Sequence, residues 1–149
     1  MADILVVDDN PDLGDLLKTF ISAIGHNVTL CGSSLSALET LAHHSFDLVI
    51  TDMMMPDRDG LEILRETKRL SPDTPVLAMS GGSRLFPTFD PLSCARQLGA
   101  NEVLPKPFRR SQLLAAIERL LKESRKDAQL KGRSSTASPD ATPARRTWQ

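Results

Sequence analysis

The sequence predicts an α/β fold, a doubly wound parallel sheet of five strands with helices on both faces. Short apolar runs of strand length alternate with stretches of helical periodicity, as strand–helix pairs within about 120 residues. Most of these runs are continuously apolar, which is typical of strands buried on both faces of a sheet. Helical crossovers make such a sheet parallel, and their right-handedness places helices on both faces.

The first strand and helix have clear boundaries. The run ILVV at 4–7 predicts a buried strand. Asn10 and Pro11 then indicate a helix start, with asparagine as the N-cap and proline at the first helical position. Leucine, isoleucine and phenylalanine follow at spacings of three and four, so one face of this helix is buried. Gly25 is suited to end it.

The second pair follows directly. The run NVTLC at 27–31 predicts a strand. Either Ser34 or Ser36 starts the next helix, which continues to about His43. Ser36 and Glu39 have the spacing of a capping box.

The third strand is the apolar run DLVI at 47–50. Asp59 and Glu62 again have capping-box spacing, and the helix they introduce runs to about Leu70. Pro72 stops it, because the residue before a proline avoids the helical conformation.

The remaining elements are the strands PVLAM at 75–79 and EVL at 102–104 and a last helix at 109–124. From 125 to 149 the chain is rich in serine, threonine, proline, alanine and charge, with one aromatic residue. Such a composition does not bury enough apolar surface to order itself. We therefore predict one domain at 1–124 and a disordered basic tail at 125–149.

The charge distribution argues against direct binding of nucleic acid. Residues 1–124 hold 12 basic and 17 acidic residues, a net charge of −5, whereas 125–149 hold 6 and 2, a net of +4. Nucleic-acid binding needs clustered positive charge on the folded body. The acidic N-terminus does not resemble a signal peptide, and no apolar run approaches the ~18 residues that span a membrane. Two cysteines without metal-ligand spacing agree with a cytoplasmic protein.

Polar side chains follow four of the five predicted strands, at the edge where ligands bind in open parallel sheets. They are Asp8 and Asp9 after the first strand, Asp52 after the third, Ser80 after the fourth and Lys106 after the fifth. Crowded carboxylates repel one another unless a cation joins them, and an all-oxygen cluster suits Mg²⁺. With that charge neutralised, a carboxylate is able to accept a phosphoryl group.

Each of these residues also has an ordinary structural interpretation. A single acid at a strand end is usually a turn or cap residue, Ser80 alone fits a loop, and Lys106 alone fits a solvated surface. The joint pattern of acid pair, acid, hydroxyl and lysine, each after a different strand, favours a functional site.

These residues, together with TDMMMPDRDG at 51–60 and LPKPF at 104–108, resemble the receiver domain of bacterial two-component response regulators. The resemblance covers about 1–124. It implies a flavodoxin-like sheet with strand order 2-1-3-4-5. We expect a stand-alone response regulator, because the 25 residues after 124 are too few for a DNA-binding fold. The resemblance also implies that it catalyses only its own phosphorylation and dephosphorylation. Its output would be phosphorylation-dependent protein binding or a phosphorelay.

The resemblance assigns a role to each residue of the phosphoryl site. Asp52 would accept the phosphoryl group from the phosphohistidine of a sensor histidine kinase or a phosphotransfer protein. Ser80 would hydrogen-bond the phosphoryl group, and Lys106 would pair with its oxygens. Gly60 would shape the loop after Asp52, and the bond between Lys106 and Pro107 would be cis.

The resemblance also implies Mg²⁺ as the cofactor. Asp9 would bind the ion directly, and Asp8 either directly or through water. Asp52 and the backbone carbonyl of Met54 would complete the protein ligands.

The sequence departs from the family pattern at three places. Val103 stands where an aromatic residue is usual, three positions before the lysine. Gly81 and Gly82 follow the hydroxyl, where alanine is common. The segment at 83–99 is long and contains two prolines, so we expect an extended loop and then a short helix.

Three other functions are weighed against the receiver. A receiver-like scaffold that takes no phosphate is kept open by Val103. A haloacid-dehalogenase-like phosphatase needs a second aspartate two places after its nucleophile, where this chain has Met54. A flavin-binding module needs a hydroxyl- and glycine-rich phosphate loop after the first strand, whereas DDNPD at 8–12 repels phosphate.

Overall fold

The sheet has five parallel strands in the order 2-1-3-4-5, as predicted. The computed structural model describes residues 1–53, 60–80, 96, 97 and 99–136, with side chains as far as 124. Its strands are β1 Asp3–Val7, β2 Asn27–Cys31, β3 Leu48–Asp52, β4 Val76–Ser80 and β5 Glu102–Pro105, and its helices are α1 Pro11–Ala23, α2 Ser34–His43, α3 Gly60–Leu70 and α4 Arg110–Thr136. No helix of the described chain is long and apolar enough to cross a membrane.

Two hydrophobic cores lie on opposite faces of the sheet. Ile4 and Ile50 contribute to the core that packs under α1 and α4. Their neighbours Leu5 and Val49 contribute to the core under α2 and α3. Successive side chains of a strand point to opposite faces, so a continuously apolar strand supplies both cores. Every residue of β3 and β4 is buried, which holds the ends of these two strands in fixed positions.

The starts of α1 and α2 test the predicted caps. Asn10 is the N-cap of α1, as predicted, and its side-chain oxygen accepts the backbone N–H of Leu13 at 3.3 Å. Helix α2 begins at Ser34 and ends at His43, as predicted, but its N-cap is Ser33, so the capping box predicted for Ser36 and Glu39 is wrong. Ser33 has the extended backbone that an N-cap needs, and its hydroxyl accepts the N–H of Ser36 at 3.1 Å. Ser34 is already helical and buried.

The last helix is longer than the sequence prediction. It ends at Thr136 rather than at 124, so residues 125–136 of the segment predicted to be disordered are helical. This stretch contains arginine, lysine, alanine, glutamine and leucine, which favour a helix, and no proline. The remaining tail at 137–149 and most of the segment at 83–99 lie outside the described residues.

Candidate functional site

The register of β1 and β3 places two aspartates side by side. Val7 pairs with Thr51, so Asp8 and Asp52 come next on adjacent strands. Asp52 is the last residue of β3 rather than the first after it. Both residues are buried, at 1% exposure for Asp8 and 5% for Asp52.

The register of β4 and β5 adds the hydroxyl and the lysine. Ser80 is the last residue of β4 and is buried, and it pairs with Pro105. Lys106 follows directly, and its backbone N–H donates to the carbonyl of Ser80 at 2.8 Å. The peptide bond between Lys106 and Pro107 is cis, as the resemblance implies.

The three aspartates form one cluster. Asp8, Asp9 and Asp52 each place a carboxylate oxygen within 4.8 Å of the others. Asp9 is exposed, so the cluster opens to solvent on its side while the other two carboxylates are enclosed.

Lys106 joins the two buried acids. Its ammonium lies 3.1 Å from Asp8 Oδ2 and 3.2 Å from Asp52 Oδ2. Burial alone would lower the pKa of Lys106, but the Asp52 and Asp8 carboxylates together outweigh burial and raise this pKa above its ordinary value. The lysine is therefore a fixed positive charge at the cluster throughout the physiological pH range.

Backbone groups hold the cluster in place. Asp8 accepts the N–H of Asn10 at 2.9 Å on its other oxygen, which leaves Oδ2 to the lysine. The backbone N–H of Met53 donates to the carbonyl of Met79 at 2.8 Å, which extends the pairing of β3 and β4 beyond Asp52. The hydroxyl of the buried Thr51 donates to the carbonyl of Asp52 at 3.1 Å.

Gly60 packs directly against the backbone at the end of β3. Its N–H donates to the carbonyl of Met53 at 3.2 Å. A Cβ atom at Gly60 would overlap the carbonyl oxygen of Asp52 and lie 2.8 Å from Met53 Cα. Because these are backbone atoms, no side chain is able to move aside, and only glycine fits without a shift of β3 or α3.

We expect Gly60→Ala to destabilise the fold by about 2 kcal/mol, as overpacking of a well-packed region does. Urea denaturation measures the change. Gly32→Ala is the matched control, because a Cβ at Gly32 has no neighbour within 4 Å. Equal free energies of unfolding for the two variants would show that the close approach at Gly60 has no cost.

The donor set fits a hard divalent cation. When ionised, three carboxylates and one ammonium carry a net formal charge of −2, which one divalent ion neutralises. Mg²⁺ prefers such oxygen ligands and keeps several of its water ligands. Because Asp9 is exposed, these waters have room on its side of the cluster. The predicted fourth ligand, the carbonyl of Met54, lies outside the described residues.

The predicted site residues of the described chain therefore meet at one edge of the sheet. The pairing of Lys106 with Asp8 and the contact of Gly60 with Asp52 were not predicted, because both depend on the path of the backbone in three dimensions. Val103 is partly buried and packs on the core under α2 and α3.

A doubly wound sheet with an acidic cluster and a lysine at its carboxyl edge is typical of receiver domains. The chain belongs to the response regulator receiver domain family, whose model matches residues 4–118.

Known proteins of this family are similar to most of the chain. It is 33% identical to the DNA-binding transcriptional regulator NtrC of Azospirillum brasilense over 87% of this chain and 26% of NtrC. It is 34% identical to the response regulator MprA of Mycobacterium leprae over 83% of this chain and 53% of MprA. The crystal structure of a response regulator receiver domain protein from Clostridium thermocellum matches with a TM-score of 0.75 and 33% identity, over 84% of this chain and 98% of that one. The chain thus spans about a quarter to a half of these curated relatives and nearly all of the solved receiver.

Proposed function

We propose that Asp52 accepts a phosphoryl group from the phosphohistidine of a sensor histidine kinase or a phosphotransfer protein. The observation that carries this proposal is the placement of Asp52 Oδ2 at 3.2 Å from the Lys106 ammonium and beside two further carboxylates. A carboxylate without neighbouring cations repels a phosphoryl group, whereas one beside a lysine and a metal site is able to receive it.

The transfer exchanges one bond for another. An oxygen of Asp52 bonds to phosphorus while the bond between phosphorus and the donor imidazole nitrogen breaks. The bonding pair stays on that nitrogen, which takes up a proton from water, so that the ring leaves as neutral imidazole. Lys106 neutralises charge on the transferred group, and the Ser80 hydroxyl donates a hydrogen bond to it.

The metal would be held by Asp8, Asp9 and Asp52, together with the carbonyl of Met54. Three carboxylates and a phosphoryl group carry more negative charge than the ammonium of Lys106 neutralises. When bound, Mg²⁺ supplies the additional positive charge.

The output of this site is a change in protein binding or a relay of the phosphoryl group to another protein. Phosphorylation shifts an equilibrium between two conformations of the receiver, so the affinity for the downstream partner rises by a finite factor. The negative charge of 1–124 supports a protein partner over nucleic acid.

Phosphorylation by a small donor tests the proposal. The wild-type chain is incubated with acetyl phosphate and Mg²⁺, and intact mass and peptide mapping follow. We expect one adduct, stable in acid and labile in base, on Asp52. An unlabelled chain under saturating donor would overturn the proposal and favour the scaffold.

Magnesium is expected to raise the free energy of unfolding with the logarithm of its concentration relative to Kd, by about 2.7 kcal/mol at a hundredfold excess over Kd. Asp9→Asn is expected to remove most of this gain, because it deletes the exposed carboxylate of the cluster. Thermal unfolding with and without the ion measures the effect. Asp15→Asn, an exposed substitution on α1, is the control, and an equal response of both variants would contradict the assigned ligand set.

A further inference from the structure

An apolar cavity of about 470 Å³ lies between α1 and the start of α4, beside the acidic site. Helix α1 contributes Leu13, Leu16 and Phe20 to its walls, and Phe108 faces them from the segment after β5. Leu16 is 47% exposed, so the cavity reaches the surface. Volumes of 300 to 1,000 Å³ with apolar walls and a few polar groups are typical of small-molecule sites.

The polar groups of this cavity are both cations. Lys106 and Arg110 line it, and no acid does so in the described part of the chain. The ammonium of Lys106 is engaged by Asp8 and Asp52, so the lysine is already neutralised by the acidic site.

Arg110 is the cation available to a ligand. Its guanidinium carbon lies 4.9 Å from the centre of the Phe20 ring, which places the planar group at the edge of the cavity. A guanidinium stacked on a ring keeps its N–H donors in the plane, where they match the two oxygens of a carboxylate.

We infer that this cavity binds a small amphipathic carboxylate, with its aryl or alkyl body between Leu16 and Phe108 and its carboxylate on Arg110. The charge decides the class of ligand, since the described residues of the lining include two cations and no acid, which disfavours amines. The walls determine the rest of the ligand. Leucine and phenylalanine side chains have no hydrogen-bonding groups, so the part of the ligand between them is apolar. The site differs from the phosphoryl site, although Lys106 belongs to both.

Three probes of one shape test the class of ligand. Biphenyl-4-carboxylate, biphenyl-4-carboxamide and 4-biphenylmethylamine are titrated into the wild-type chain without a phosphoryl donor, and amide ¹H–¹⁵N shifts are followed. We expect the carboxylate to bind at about millimolar concentration, as a ligand of this size allows, and at least tenfold more tightly than the other two. The shifted amides should lie in α1 and at 106–110.

Matched variants test the site. Arg110→Gln should weaken the carboxylate about tenfold, whereas Arg109→Gln, a neighbouring cation outside the cavity lining, should not. Leu16→Ser should weaken all three probes, and Leu35→Ser, at another exposed leucine, should not.

Two outcomes would overturn the inference. Equal affinity for the three probes would indicate an apolar surface without charge selection, as a protein partner would use. Absence of binding, or shifts elsewhere, would show that the cavity takes no such ligand. Because no phosphoryl donor is present, neither outcome depends on whether Asp52 accepts a phosphoryl group.

Discussion

Asp52→Asn is expected to leave no detectable phosphoryl adduct under conditions that saturate the wild-type chain. The amide has nearly the shape of the carboxylate, but it lacks the anionic oxygen that bonds to phosphorus. The substitution also removes one of three crowded carboxylates, so the fold has no reason to lose stability from charge repulsion. Intact mass after incubation with acetyl phosphate and Mg²⁺ measures the adduct, and urea denaturation verifies that the variant is folded.

The control for this loss is Asp47→Asn, the same substitution immediately before the other end of β3. Asp47 accepts the backbone N–H of Asp3 at 2.8 Å, and an asparagine oxygen accepts the same bond. This variant should be labelled as fully as the wild type. Full labelling of Asp52→Asn would place the phosphoryl group on another residue.

The sequence predicted the fold well where periodicity and burial agree. The strands β3 and β4 are buried throughout, and their continuous apolar runs carry that information locally. The end of α4 was predicted less well, because composition distinguishes a packed segment from an unpacked one but not a solvated helix from a coil. The cap at Ser33 was missed because three serines at 33, 34 and 36 offer the same chemistry, and only the backbone conformation separates them.

The site was predictable because the register of a parallel sheet brings strand ends together. Each of the acids and the lysine follows or ends a strand, so their positions in the sequence are enough to place them on one edge. The ion pair between Lys106 and Asp8 was not predictable, since 98 residues separate them and no local pattern relates them. The close approach of Gly60 to Asp52 likewise requires the path of the backbone in three dimensions.

Lys106→Met is expected to destabilise the fold by about 3 kcal/mol in the absence of Mg²⁺. This value is at the lower end of the range for a broken buried ion pair, because the lysine side chain is partly exposed. The methionine keeps the apolar stem but leaves the carboxylates of Asp8 and Asp52 without the ammonium. Lys122→Met, an exposed substitution on α4, should change the free energy of unfolding by less than about 0.5 kcal/mol. Added Mg²⁺ should stabilise Lys106→Met more than the wild type, because it supplies the missing positive charge.

The pH dependence distinguishes this electrostatic role from packing. The pKa of Lys106 is raised in the folded chain, so the folded state holds its proton more firmly than the unfolded state. The stability that the ion pairs contribute is therefore fully present below the ordinary lysine pKa of 10.5 and is lost as the pH rises through the folded value. Urea denaturation of the wild type and of Lys106→Met is followed from pH 7 to pH 11.5. The difference between their free energies of unfolding should be constant at first and smaller at the alkaline end. A difference that stays constant over the whole range would assign the loss to packing of the side chain, and the lysine would then not act as the counter-charge of Asp52.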